Sequence, residues 1–256
     1  TNCVTKLASS AQYIGKITFM DTRSHGGGWR PFYKEYWYPQ WDGTTVYRYD
    51  EKFQFQGTFD SGQPQMMQLW GDEEGNYYTA NWGYGTVTKR KGKSSQLLWT
   101  YNAGDTMSAV TADDKYVYTK NYYSPTVRVL DKSTGTLVKS WNLNGGPQTT
   151  MYGSFAAVGG KLYVGWYNQV VSRYDLTTYN HEFQFTVSPY IYNMSFNGTN
   201  YCVSQNDANV YCYTLMTSSC TLGDDCDPLE KLVNPAAPEV CDDQDNNCNG
   251  VVDEGC

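Results

Sequence analysis

The sequence predicts an all-β chain whose strands recur in repeated groups, and three observations predict it. Aromatic residues make up 16% of the 256 residues, with 24 Tyr and 8 Trp, while charged residues are only 18%. That composition suits pleated, half-buried surfaces better than helices or solvated coil. A five-residue phrase returns at intervals of about forty residues, the spacing of a repeat architecture. Between the apolar runs stand turn residues such as DD, GG, NG and STG, which break the strands at regular places.

The phrase reads VYRYD from Val46, VTKRK from Val87, VRVLD from Val127, VSRYD from Val171 and VYCYT from Val210. Ahead of each lies an aromatic strand: EYWY around Tyr36, NYYTA around Tyr77, KYVYT around Tyr116, KLYVG around Leu162 and NYCVS around Tyr201. The two form a hairpin each time. A polar turn and a further apolar strand follow, as in DEKFQFQGTF and DKSTGTLVKSW. A short strand of Met and small residues precedes the hairpin, as in MMQLW, MSAVTA, MYGSFAAV and YNMSF. Four strands per unit is the pattern of propeller blades, and one blade buries little until its neighbours stack on it. The chain therefore predicts a five-bladed β-propeller with blades at about 13–61, 62–104, 105–146, 147–189 and 190–222. An insertion, DTRSHGGGWRPF at 21–32, is expected inside the first blade, and the opening segment TNCVTKLAS is a candidate strand to complete the last. Domains are expected at 1–222 for the propeller, 223–238 for a linker and 239–256 for a small disulfide-rich calcium-loop tail.

The repeat resembles extracellular five-bladed propellers and, more loosely, quinoprotein-like and YVTN-like propellers with a [VI]-x-x-[YL]-D phrase. The resemblance covers about residues 13–222 and implies architecture, since function on such a fold resides in grafted sites.

Eight cysteines are crowded at the end of the chain: Cys3 stands alone, then Cys202, Cys212, Cys220, Cys226, Cys241, Cys248 and Cys256 follow. No CxxC pair occurs, and the two histidines are His25 and His181, so disulfides are the expected use and an oxidising compartment the expected setting. Cys202 and Cys212 fall symmetrically about the turn QNDAN and are expected to bridge across one hairpin. Cys3 is expected to meet Cys220, closing the ring. Cys226, Cys241, Cys248 and Cys256 are enough for two more bridges, whose pairing the sequence leaves open.

The terminal stretch CDDQDNNCNGVVDEGC carries side-chain oxygens at Asp243, Asp245, Asn247 and Asn249, then Gly250 and the pair Asp253 and Glu254. Calcium takes six to eight oxygens at about 2.3–2.6 Å, and alternate residues of a tight loop turn their side chains inward together. Ca2+ is the expected cofactor. This stretch resembles the metal-binding motif of secreted microbial proteins, of form C-D-x-x-D-N-[ND]-C-[ND]-G-x-[VI]-D-E-x-C, whose loops look like those of EF-hand and thrombospondin type 3 repeats. It departs from an EF-hand in placing Cys248 at loop position six and Gly250 at position eight.

The net charge of −7 argues against a nucleic-acid partner, because no basic stripe exists to meet phosphates. KRKGK at 89–93 is expected to be a solvated hairpin. No apolar run is long enough to span a membrane as a helix, and the chain, opening at Thr1, reads as a processed, secreted form. SHGGGW at 24–29 has no G-x-S-x-G partner, no acid pair or phosphate loop is recognisable, and the chain is not expected to be an enzyme. Asp50, Asp131 and Asp175 end the repeated phrase and are expected to cap turns. Trp29, Trp37, Trp41, Trp82 and Trp166 are expected to pack between blades, with stacking on sugars as the other use of such rings. Sequons occur at Asn193 and Asn197. The leading expectation is a secreted structural or interaction protein that binds a protein partner or its own copies, in an extracellular fibre or surface layer. Alternatives are a carbohydrate-binding propeller lectin and, less favoured, a propeller hydrolase or lyase.

Overall fold

The structure is a computed structural model describing residues 11–18, 27–30, 32–52, 54–147, 154–186, 193–196, 200–204 and 209–215. Twenty strands and no helix occur among them. The first strand is β1 (Ala11–Thr18). Sheet one holds β2 (Gly28–Arg30), β3 (Glu35–Pro39), β4 (Thr45–Asp50) and β5 (Phe55–Asp60). Sheet two holds β6 (Met66–Gly71), β7 (Asn76–Asn81), β8 (Thr86–Lys91) and β9 (Leu97–Asn102). Sheet three holds β10 (Met107–Ala112), β11 (Tyr116–Asn121), β12 (Thr126–Asp131) and β13 (Leu137–Asn142). Sheet four holds β14 (Phe155–Val158), β15 (Lys161–Gly165), β16 (Val170–Asp175) and β17 (His181–Thr186). These four sheets are antiparallel throughout. The fifth orders β18 (Asn193–Phe196), β19 (Asn200–Ser204), β20 (Asn209–Leu215) and then β1.

The strand beside β20 is thus Ala11–Thr18, and the segment Thr1–Ser9 expected there lies outside the described residues. The first sheet accordingly begins at Gly28, so residues 13–18, read from sequence as the opening of the first blade, belong to the last sheet instead. The sheets lie in one compact unit, Gln12–Thr214.

The repeated phrase forms the third strand of each sheet. Its valine is the second residue of that strand, and Val46, Val87, Val127 and Val171 are all buried. Burial falls from first strand to fourth: β6 and β10 are buried at every position, while most positions of β5, β9 and β13 are exposed. The first strands meet one another in a cycle, β2 on β6, β6 on β10, β10 on β14, β14 on β18 and β18 on β2. Between sheets three and four an apolar cluster of Tyr118, Val127, Phe155, Leu162, Trp166 and Tyr174 fills the gap.

Turns are fixed by short acidic side chains. Asp50 Oδ1 accepts the N–H of Lys52 and Gln54, Asp131 Oδ1 those of Ser133 and Thr134, and Asp175 Oδ1 those of Thr177 and Thr178. The three aspartates cap the turn after the third strand, as their place in the phrase implies. A second pair, Asp72 and Asp113, caps the turn after the first strand and also accepts a tyrosine hydroxyl from the second, Tyr78 at 2.7 Å and Tyr118 at 2.5 Å. Burial, with the adjoining carboxylate, holds both phenols well above the usual tyrosine range.

The basic cluster at 89–93 is solvated only in part: Lys91 and Lys93 are exposed as expected, and Lys89 and Arg90 are not. Lys89 and Arg90 are each 7% exposed. Lys89 Nζ donates to the Lys132 carbonyl of sheet three at 3.1 Å, and Arg90 donates to Ser95 O at 2.6 Å. Their long stems fill space between sheets while each head meets a carbonyl.

The meeting of first strands creates a demand that the sequence does not advertise. Each of these strands is hydrogen-bonded to a neighbour on one side only, and its other edge faces the interior, where unpaired backbone groups are costly. Gln68, fully buried in β6, answers it. Its Oε1 accepts the N–H of Val110 in β10 at 2.9 Å and of Phe155 in β14 at 3.1 Å. Its Nε2 donates to Phe155 O at 2.8 Å and to Met194 O of β18 at 3.4 Å. Thr111 Oγ1 likewise accepts the N–H of Ala157 at 2.8 Å. Gln68 follows directly on a register shift between Met66 and Gln68, and such a bulge re-aims the side chains beside it.

Replacing Gln68 by Leu keeps the bulk and strands the N–H groups of Val110 and Phe155. Each stranded buried group costs about 1–3 kcal/mol, so urea unfolding should show a loss of about 2–6 kcal/mol. A change within about 0.5 kcal/mol, the size of a surface substitution, would contradict this role.

Candidate functional site

In sheets one to four the turns joining second to third strands lie at one end of the sheets. Three of the first four open alike, with an amide followed by an aromatic ring: Gln40-Trp41, Asn81-Trp82 and Asn121-Tyr122. The rings form a ladder across three sheets. Trp41 meets Trp82 edge-on at 6.4 Å between centroids, Trp82 meets Tyr122 at 4.9 Å, and Tyr122 meets Tyr123 at 4.8 Å. Tyr123 is its most open member, at 72% exposure, and Tyr84, in the same turn as Trp82, is 57% exposed. In sheet four the equivalent Trp166 turns inward, donating to Ser172 Oγ at 2.9 Å, and the ladder stops.

Backbone hydrogen bonds hold this face. Gln65 N–H donates to Trp41 O at 3.0 Å, Trp82 N–H to Gln65 O at 2.9 Å, and Tyr122 N–H to Thr106 O at 3.0 Å. A Cβ at Gly83 would stand 1.8 Å from Gln65 Oε1, so a larger residue there would displace the Gln65 amide. Asp105 is set beside Tyr122: Oδ1 accepts the N–H of Thr106 at 2.7 Å, and Oδ2 accepts the Asn121 amide at 2.5 Å. Next to it Lys120 is buried, its Nζ donating to the Asn121 carbonyl. No carboxylate among the described residues pairs with it, and burial pushes its pKa down to about 7.

The tryptophans named from sequence divide by this geometry. Trp37 and Trp166 are buried packing residues, Trp41 and Trp82 belong to the ladder, and Trp29 lies in β2 with its side chain outside the described residues. Tyr84, Tyr122, Tyr123 and Asp105 were not singled out by sequence. The turn phrases QWDGT, NWGYG and NYYSP carry the signal, which appears only once the turns are aligned with one another.

The remaining predicted site residues are not brought together here. Asp243, Asp245, Asn247, Asn249, Asp253 and Glu254 lie outside the described residues, as do Cys3, Cys220, Cys226, Cys241, Cys248, Cys256, Asn197 and His25. Cys202 and Cys212 are direct cross-strand partners in the β19–β20 register. Asn193 is the first residue of β18. His181 opens β17 against the Tyr174 ring. Among the described residues no group of His, Cys, Asp and Glu is placed to hold a metal.

Residues 225–254 match the family described as "Putative metal-binding motif", Cu-binding MopE. No curated protein matches the chain in sequence. Two solved structures share its fold. Glutaminyl cyclase of Myxococcus xanthus aligns with a TM-score of 0.62 and 11% identity, covering 79% of this chain and 95% of that one. BamB of Moraxella catarrhalis aligns with a TM-score of 0.50 and 9% identity, covering 80% of this chain and 100% of that one. At such identities the likeness is one of fold, and the fold is propeller-like. The first comparison corrects the expectation that the chain is not an enzyme: the architecture is shared with an enzyme, and the absent motifs on which that expectation stood do not exclude catalysis on it.

Lys120 yields a measurable pH effect. A lysine whose folded pKa of about 7 lies below the ordinary lysine value of 10.5 holds fewer protons folded than unfolded between those values. Its share of stability therefore rises with pH through that window. Lys120→Met should raise stability at pH 7 and flatten the rise between pH 7 and 9.5 in urea titrations. An unchanged slope would contradict the assignment.

Proposed function

We propose that the chain is a secreted, closed five-bladed propeller that associates with its own copies through its outer rim, with a calcium-loop tail. The observation that carries this reading is an apolar band on the outermost strands of three successive sheets. Phe55 opens β5, Leu97 and Leu98 open β9, and Leu137 and Val138 open β13, all between 44% and 58% exposed. The same place on three successive edge strands is thus apolar and open. A protein that works alone normally guards edge strands with charge, and exposed apolar surface of this kind marks a contact site. Sheet four shows the guarded alternative: its edge opens with His181 and Glu182, and Glu182 bonds Lys161 at 2.5 Å and Arg173 at 2.6 Å.

The opposed positions of Cys202 and Cys212 support a bridge between them. Direct partners in an antiparallel pair stand about 4.5–5.5 Å apart, within the span of a disulfide. Such bonds and glycan attachment at Asn197 or Asn193 belong to an oxidising, extracellular setting. In the tail, Asp243, Asp245, Asn247, Asn249, Asp253 and Glu254 offer hard oxygen donors, and the matched residues contain no His or Met. That donor set suits calcium; copper favours imidazole and sulfur.

Sedimentation velocity of the full chain in calcium should show concentration-dependent species larger than the monomer, and Leu97→Asp with Leu137→Asp should return them to monomer. A parent chain that stays monomeric at all concentrations would refute self-association. Calorimetric titration of the full chain should show calcium binding that Asp245→Ala with Glu254→Ala weakens at least tenfold. Copper binding with no calcium heat would overturn the choice of ion.

A further inference from the structure

We propose that the aromatic ladder at the end of sheets one to three is a binding site for a chain of neutral sugars. This site is separate from the outer rim and does not depend on the rim's function. Sugar rings present flat C–H faces that lie against aromatic rings, while their hydroxyls need acceptors in fixed positions at the side. Both kinds of group occur here. Tyr84 and Tyr123 present open rings in the turns of adjacent sheets, Tyr84 two residues after Trp82 and Tyr123 beside Tyr122, whose ring meets Trp82. Rings on three sheets favour an extended ligand with several residues over a single small molecule.

Asp105 supplies the fixed acceptor. Each carboxylate oxygen is held by one protein donor, Thr106 N–H at 2.7 Å and the Asn121 amide at 2.5 Å. A carboxylate oxygen accepts more than one hydrogen bond, so both retain capacity toward solvent, where Asp105 is exposed. An acceptor oriented beforehand loses little freedom when a hydroxyl arrives. The turns holding the rings are tied by their own backbone bonds, so the site is preformed as well.

A peptide fits this face less well. Peptides recognised by strand addition need a free row of backbone groups. Here the carbonyls of Trp41, Gln65, Gly85 and Thr106 already accept bonds from Gln65, Trp82, Ala103 and Tyr122. Charge narrows the sugar further. Asp105 stands in the site and the whole chain carries −7, so a chain of uronic acids or sulfated sugars would be repelled.

The test is affinity electrophoresis of the full chain in gels containing soluble β-glucan, xylan or mannan, beside alginate as the acidic counterpart. At least one neutral polysaccharide should retard the parent and alginate should not. Tyr84→Ala with Tyr123→Ala should weaken that retardation at least tenfold, and Tyr84→Phe with Tyr123→Phe should keep most of it, because stacking needs the ring and not the hydroxyl. Asp105→Ala should weaken it without loss of the circular dichroism spectrum of the parent. Both tyrosines are exposed, so their variants should fold. Failure of every neutral polysaccharide to bind, preference for alginate, or a double alanine variant that binds like the parent would each overturn the proposal. Self-association in the sedimentation experiment is read separately, since the rim variants leave this face intact.

Discussion

The inner edges of the first strands set the terms for everything else in this molecule. Sheets that converge on their first strands leave those strands paired on one side only among the described residues, with backbone donors and acceptors turned toward the interior. Gln68 meets the demand with one side chain that reaches from β6, its carbonyl and amide ends bonding β10, β14 and β18. Thr111 does the same for β14 on a smaller scale. An amide suits this work because it carries acceptors and donors in one plane without charge. A charged group at the same place would need a buried partner.

From that axis the structure loosens outward in steps. Second and third strands pack sheet against sheet through Val, Tyr and Trp, with buried aspartate–tyrosine bonds at Asp72 and Asp113 fixing the turns. The fourth strands β5, β9 and β13 are largely exposed, and their outer edges pair with no strand among the described residues. The surface chemistry follows this gradient. Around the rim, apolar residues stand on edge strands, a combination suited to meeting another protein. At the end carrying the second-to-third turns, aromatic rings stand on loops whose backbone is already satisfied, a combination suited to a ligand that brings flat faces and hydroxyls. The two surfaces differ in geometry as well as in residue type, which allows one scaffold to hold both.

The repeat was legible in the sequence because burial imposes the same residue at the same place. Val46, Val87, Val127 and Val171 occupy equivalent buried positions, and Asp50, Asp131 and Asp175 cap equivalent turns. Gln68 was not legible: one amide in MMQLW reads as an imperfection in an apolar strand, and its partners are up to 126 residues away. Lys89 and Arg90 misled for a related reason. A cluster of cations reads as solvated unless the carbonyls awaiting their heads are known. Residues 13–18 look like the start of a repeat, yet strand pairing with β20 is a long-range choice that local periodicity does not encode. The ladder is not legible in the strand periodicity, because its rings recur in the turns. The tail is the reverse case, where donor spacing in the sequence speaks for a metal and the described residues hold none of it.

Native-state hydrogen exchange tests the central claim most directly, since it reads single backbone amides. If Gln68 and Thr111 close the inner edges, the amides of Val110, Phe155 and Ala157 should exchange only through global unfolding, among the slowest in the chain. Exchange of those three amides at the rates of exposed turn residues such as Ser133 would mean that the axis is open to water and that the account built outward from it is wrong.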